Sequence, residues 1–372
     1  MKFAIITHVP HIVDKNHYFA YAPYVKEMNI WGKYVDEFII VAPINQGAKT
    51  VIDIPYDKKK IVFLEIDEIS LIGWMAVLNS ILKSPKICWQ IYIAMQKANH
   101  IHLRCPGNIG LLGCLIQILF PGKPKTAKYA GNWDPEAKQP WSYRLQKWIL
   151  NNSFLTRNMQ VLVYGEWQQS SKNIKPFFTA TYSESDKMPM KKLDLNGKIN
   201  FVFVGTLVSG KNPLFSIQFV EALFKKGYNV TLQLYGEGIE RKRLEEYIVA
   251  NKLENYIELK GNQNQIVVSE AYANSHFVIL PSKSEGWPKA VAEGMFWGCI
   301  PMVTSVSCVP FMLDYGKRGV LLETNMEQDI QNLESILNSE MIFEIMREKA
   351  SKWSRKYTID SFETEIKKLL LK

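Results

Sequence analysis

Residues His276–Ser305 read HFVILPSKSEGWPKAVAEGMFWGCIPMVTS, and this stretch decides the fold. His276–Leu280 is a short, unbroken apolar run ended by Pro281, which reads as a buried strand. Pro288 suits the first turn of a helix over Pro288–Trp297, because its missing N–H would be unpaired there anyway. A second apolar strand, Ile300–Val303, follows. Glu285 then projects from the lip of the strand-to-helix turn, and Glu293, eight residues later, lies about one and a half turns into the helix. The backbone amides of Gly286, Trp287 and Lys289 point out of the helix start, where an anion is favoured. Two carboxylates with an anion site between them suit a ligand with hydroxyls at both ends and phosphate in the middle. A nucleotide-sugar has that layout.

Outward from this stretch the second half keeps alternating. Strands are expected at Asn200–Val204, Asn229–Leu234, Tyr256–Leu259 and Gly319–Leu322, with helices at Pro213–Lys226, Ile239–Asn251 and Gln265–Asn274. Such alternation specifies a parallel sheet covered on both faces, with ligands at the carboxyl ends of its strands. The first half alternates less cleanly. Strands are expected at Lys2–Thr7, Asp36–Val41, Ile61–Leu64, Ile101–Arg104, Lys125–Ala130 and Gln160–Val163. Helices are expected at Phe19–Gly32, Gly73–Ala98, Ile109–Phe120 and Tyr143–Asn151. Ser183–Lys198 is polar and aperiodic, a natural linker. A chain of 372 residues is too long for one ordinary core, so we expect two α/β domains, 1–190 and 191–372. The charged tail reads as two helices broken near Tyr357–Asp360, the last crossing back to the first domain.

Composition narrows the class. Hydrophobic content of 47% with 22% charged residues describes a folded globular chain. The five cysteines form no C-x-x-C pair and sit mostly in apolar runs, as free buried thiols of a reducing compartment do. The opening MKFAIIT stops at His8 with no cleavage-like site, so it reads as a first strand and not a signal peptide. Ile69–Met95 is cut by Asn79, Lys83, Pro85 and Lys86, leaving too short an apolar run to span a bilayer. Residues 1–190 hold 22 Lys/Arg against 14 Asp/Glu, whereas 191–372 hold 23 against 22. A basic first half points to an anionic partner, a phosphate-bearing acceptor or a membrane surface; the alternative is that lysines keep an apolar domain soluble. Trp74 and Trp89 on an apolar helix offer a membrane-interface face, with core packing as the alternative.

Two further loops carry chemistry. GTLVSGKN (Gly205–Asn212) leaves a strand and enters a helix at Pro213, placing Lys211 where phosphate oxygens would sit. Its spacing is not that of a P-loop. YGEG (Tyr235–Gly238) also joins a strand to a helix. In order, spacing and context, VGTL…K, GEG and PSKSEGWPKAVAEGMFWGCIPMVTS resemble the family 4 glycosyltransferases. The resemblance is strong over Asn200–Glu323 and holds only in outline before it.

The resemblance implies a GT-B fold, two Rossmann-like domains with parallel sheets facing a cleft, and a retaining enzyme that stabilises its leaving group without a protein nucleophile. It implies that Glu285, first of the E-x7-E pair, contacts the donor sugar and that Glu293 holds the ribose hydroxyls. It gives the diphosphate to Lys211 and the amides around Gly286, Trp287, Pro288 and Lys289. Gly205, Thr206, Gly236, Glu237, Gly238 and Gly261 complete the donor site. The nucleotide-sugar is a co-substrate, and neither cofactor nor metal is expected; His100 and His102 lack partners at zinc spacing. The other expected partners are a glycan or lipid-linked acceptor and an anionic membrane surface, with no nucleic acid. The implied setting is surface-polysaccharide synthesis, cytoplasmic and peripheral on the inner face of the membrane.

Departures from the family pattern are equally specific. Thr206 stands where the family commonly has Arg, and Gly294 follows Glu293 where Ala is usual. The first loop, THVPHIVDKNH, has no glycine pair, and YAGNWD (Tyr129–Asp134) has no His. His8, His11, Asn132, Trp133 and Asp134 take those places by position, with His8, His11, Asn132 and Asp134 the acceptor-site candidates. The altered loops admit a second reading, a non-catalytic nucleotide-sugar-binding scaffold or regulator of the same fold. An epimerase lacks a matching acid/base pair.

Overall fold

Apolar runs set the strands, and their lengths set a parallel sheet in each half. The structure is a computed structural model that describes residues 1–371 apart from Asn16, Val51, Ile72 and Gln169. The chain divides into two compact units, Met1–Phe177 with the chain end from Glu363, and Phe178–Phe362. In the first, the strands are β1 (Lys2–Ile6), β2 (Ile12–Asp14), β3 (His17–Tyr21), β4 (Glu37–Pro43), β5 (Asp53–Pro55), β6 (Ile61–Ile66), β7 (His100–Cys105), β8 (Lys125–Tyr129), β9 (Met159–Tyr164) and β10 (Ile174–Phe177). Seven form one parallel sheet in the order β10-β9-β8-β7-β1-β4-β6. The helices are α1 (Ala22–Gly32), α2 (Trp74–Lys97), α3 (Asn108–Ile116) and α4 (Trp141–Leu150).

In the second unit β11 (Ile199–Val204), β12 (Val230–Tyr235), β13 (Ile257–Gly261), β14 (Phe277–Leu280), β15 (Ile300–Thr304) and β16 (Val320–Leu322) make a parallel sheet ordered β13-β12-β11-β14-β15-β16. The helices are α5 (Pro213–Lys225), α6 (Arg241–Ala250), α7 (Gln265–Ala273), α8 (Lys289–Trp297), α9 (Val309–Met312), α10 (Met326–Leu337) and α11 (Glu340–Ser354). A last helix, α12 (Ile359–Leu370), starts in the second unit and ends in the first, where Glu363 accepts from Lys33 Nζ at 2.6 Å and Tyr34 Oη at 2.8 Å.

Several expectations are corrected. The boundary falls at Phe177 and not at 190, because the chain from Phe178 already packs on the second unit. The Phe178 ring lies 4.9 Å from that of Tyr357, and the Tyr182 ring 4.8 Å from that of Phe296. The helix expected from Phe19 starts at Ala22, since Phe19 belongs to β3, which pairs antiparallel with β2 and β5. Helix α10 went unread in the sequence. Asn325 caps it by accepting from the Gln328 amide, and it buries Ile330, Leu333 and Ile336 at helical spacing.

Candidate active site

The site is built by loops at the carboxyl ends of neighbouring strands, where an α/β sheet offers its ligand positions. β11 and β14 pair in parallel, with Phe201 opposite Phe277. Past the strand ends, the Lys283 amide donates to the Gly210 carbonyl at 2.8 Å, tying the β11–α5 loop to the β14–α8 loop. Asn212 turns the first loop into its helix in the left-handed conformation, at φ 52°, which asparagine tolerates better than most residues. The result brings Lys211 Nζ to 2.5 Å from Glu285 Oε1. The Glu285 side chain is 7% exposed and that of Lys211 29%, so the cation is the member that faces solvent.

Pro288 immediately precedes α8 and is not in its first turn as expected; its carbonyl accepts from the amides of Val291 at 3.0 Å and Ala292 at 3.2 Å. Ahead of it, among the described residues, the Glu285 and Gly286 amides have no partner within the chain. They are the donors this turn leaves unpaired. The turn is held from behind, the Gly286 carbonyl accepting from the Cys308 thiol at 3.0 Å and the Ser307 hydroxyl at 3.3 Å. Burial pushes the Cys308 thiol up to about 12, so it serves here as a neutral donor. The Trp287 ring is buried, 5.9 Å from Trp353 and 5.4 Å from Tyr357, so its side chain is core and only its main chain borders the turn.

Glu293 lies within α8 and is half-buried. Its Oε1 accepts from Thr181 Oγ1 at 2.7 Å, and Tyr272 Oη stands 3.4 Å from Oε2. Burial raises its pKa, against the lowering effects of Thr181, Lys289 and Tyr272. Neither Thr181 nor Tyr272 carried a signal in the sequence, Thr181 lying before the segment read as a linker.

The glycines act first on one another. An added Cβ at Gly236 would sit 2.0 Å from the Gly205 carbonyl oxygen, and one at Gly238 2.3 Å from that of Leu207. The two loops are thus in main-chain contact, Gly205 N–H bonding Tyr235 O and Leu207 N–H bonding Glu237 O, each at 2.9 Å. Gly261 O accepts from the Gly236 amide at 2.9 Å. Glu237 points instead to Arg241 at 2.6 Å, and Thr206 is exposed at the loop crest. Gly236 also has φ +137°. We therefore expect Gly236→Ala to cost on the order of 3 kcal/mol in urea unfolding and to displace the Lys211 loop. Unchanged stability would contradict this account of the turn.

In the first unit the candidates separate. His8 is exposed at the end of β1, and partial desolvation of its ring against the protein, then the Arg104 charge, lower its pKa. His11 is not available to an acceptor: it is fully buried, with Nδ1 2.8 Å from the Val9 carbonyl and Nε2 2.7 Å from Tyr56 Oη. Its ring stacks on Tyr56, and burial lowers its pKa to about 4, so it is a neutral core residue. Asn132 and Asp134 each accept a nearby amide at 2.9 Å, from Asp134 and Glu136 respectively, and so shape their own turn. Trp133 is buried edge-on against Tyr129. No local pattern points to Glu27 in α1, buried with Arg104 Nη1 at 3.1 Å and Lys128 Nζ at 3.0 Å. Among the described residues no three His, Cys, Asp or Glu side chains are grouped to hold a metal.

The family profile described as glycosyl transferases group 1 matches residues 185–357, nearly all of the second unit. An uncharacterized glycosyltransferase of Methanocaldococcus jannaschii is 26% identical over 46% of this chain and 48% of its own length. Another, from Haemophilus influenzae, is 28% identical over 49% and 52% respectively, so the chain spans about half the length of these two relatives. Protein CapJ of Staphylococcus aureus is 22% identical over 92% of this chain and 88% of its own. Among solved structures, Anabaena HepE in complex with UDP and glucose aligns over 100% of this chain and 99% of its own, with TM-score 0.68 and 14% identity. S. aureus TarM aligns over 76% and 58%, with TM-score 0.56 and 17% identity. The fold is GT-B, and its second unit carries the match to the group 1 glycosyl transferase profile.

Proposed function

We propose that this protein is a retaining glycosyltransferase of the family 4 type that moves a sugar from a nucleotide-sugar to a glycan or lipid-linked acceptor in surface-polysaccharide synthesis. The observation that carries the reading is the Lys211–Glu285 pair beside the unpartnered Glu285 and Gly286 amides. Lys211 and those amides receive the diphosphate, Glu285 the donor sugar and Glu293 the ribose hydroxyls. Charge builds on the departing diphosphate as the glycosidic bond breaks, and fixed donors aimed there favour the transition state over the bound donor. The first unit takes the acceptor, with His8 the accessible member of its candidates. The reaction needs no metal, and chelator is expected to leave the rate unchanged. The HepE and TarM structures contain UDP, which makes UDP-sugars the first donors to try.

The test is a thermal-shift screen against UDP-, GDP-, ADP- and dTDP-sugars, followed by assay of nucleoside diphosphate release from the one that responds. A ligand at a hundred times its Kd adds about 2.7 kcal/mol to the native state. Stabilisation by one donor with release of its diphosphate is expected. Stabilisation without turnover would identify a nucleotide-sugar-binding scaffold, and no response to any of them would refute the reading.

A further inference from the structure

We infer that the outer face of helices α2–α4 docks on an anionic lipid surface, α2 lying along it. The three helices pack side by side on one face of the first sheet, α3 touching both neighbours. α2 buries Ile87, Ile91, Ala94 and Met95 in the core beneath. Its opposite face is just as apolar. Trp74, Met75, Leu78, Ile81, Leu82 and Trp89 are each between 52% and 80% exposed, at the spacing of one helical stripe. A helix apolar all round belongs in a core or in lipid, and here only one side is covered. Six large apolar side chains exposed along one stripe of a helix mark an interaction surface. α4 extends it, exposing Trp141, Arg144 and Trp148 at helical spacing on one face.

Charge decides the occupant. α2 contains three lysines and no acid in 24 residues. Between residues 73 and 158 the exposed basic side chains are Lys86, Lys97, Lys138, Arg144 and Arg157, against one exposed acid, Glu136. Lys86 sits within the apolar stripe between Leu82 and Trp89. A second copy meeting this face across a two-fold axis would set like charges against each other with only Glu136 to offset them. Anionic headgroups would meet the same lysines and arginine favourably, while the tryptophan rings take the interfacial depth they favour. α2 does not cross: among the described residues no helix is long and apolar enough to span a membrane. This surface stands apart from the proposed chemistry, since it lies wholly in the first unit and its evidence is exposure and charge.

Flotation of the whole chain with vesicles of phosphatidylcholine, with and without phosphatidylglycerol, tests it. We expect binding to the anionic vesicles, falling with salt, and little to phosphatidylcholine alone. Lys86→Gln and Arg144→Gln should each weaken it about fivefold. Leu82→Glu combined with Trp89→Glu should lower it more than tenfold at an unchanged melting temperature, because both sites are exposed. Equal flotation of wild type and that double variant would overturn the proposal. So would a dimer in sedimentation equilibrium that the double variant dissociates, since a second copy would then own the face. The outcome leaves the donor screen untouched, so failure of either reading is separately visible.

Discussion

Lys211→Ala is expected to lower turnover of the responding nucleotide-sugar by about 10²–10³-fold, the usual consequence of removing one fixed charge-stabilising donor. Lys211 is the more exposed member of its pair, so its removal should cost less stability than breaking a fully buried pair. What changes is the Coulomb field at the diphosphate. Without the ammonium, the buried Glu285 carboxylate stands beside the leaving group with its negative charge uncompensated. The loss should therefore exceed that of deleting a simple binding contact, and it should appear in kcat as well as KM. Lys211→Arg keeps the charge and should recover part of the rate. Steady-state diphosphate release from the purified variants checks this, and an activity within threefold of wild type would remove Lys211 from the mechanism.

The second large effect concerns stability. Glu27→Gln is expected to destabilise the protein by about 3–5 kcal/mol at neutral pH, because it leaves two cations, Lys128 and Arg104, without their shared carboxylate in a buried site. Burial alone would raise the Glu27 pKa, but Lys128 and Arg104 outweigh it and hold it at about 2 against an ordinary 4.5. A group depressed in the fold contributes stability above its unfolded value. That contribution, about 3 kcal/mol, is lost as pH falls from about 4.5 toward 2. Urea unfolding of wild type and Glu27→Gln at neutral pH and at pH ~3 should show a gap that narrows in acid. A variant within about 1 kcal/mol of wild type at neutral pH would show that the cluster is held by something else.

What the sequence disclosed follows the range of the interactions. Phe277–Leu280 is buried on both faces and is a continuous apolar run, and Ile199–Val204 is a mostly buried one broken only at Asn200, so both can be read locally. The strand–loop–helix segments that carry Glu285 and Lys211 were legible because their local chemistry shows in the letters. That the two side chains would touch was not, since it depends on Gly210 and Lys283 bonding across adjacent strands. The Glu27–Arg104 contact joins residues 77 apart, and Thr181 reaches Glu293 across 112, so no local pattern announces either. His11 misled because its polar ring satisfies both nitrogens inside the core, on Val9 and Tyr56. Phe19 falls outside the helix expected for it because its strand is specified by pairing with β2 and β5, not by its own sequence.

The proposed chemistry depends on a diphosphate held by Lys211 and the Glu285–Gly286 turn. The direct measurement is calorimetric titration of the nucleoside diphosphate and monophosphate of the responding donor into wild type and Lys211→Ala. Lys211 should matter mainly for the outer phosphate, so the variant should bind the diphosphate at least tenfold more weakly while the monophosphate changes far less. Equal affinities of both proteins for the diphosphate would contradict it.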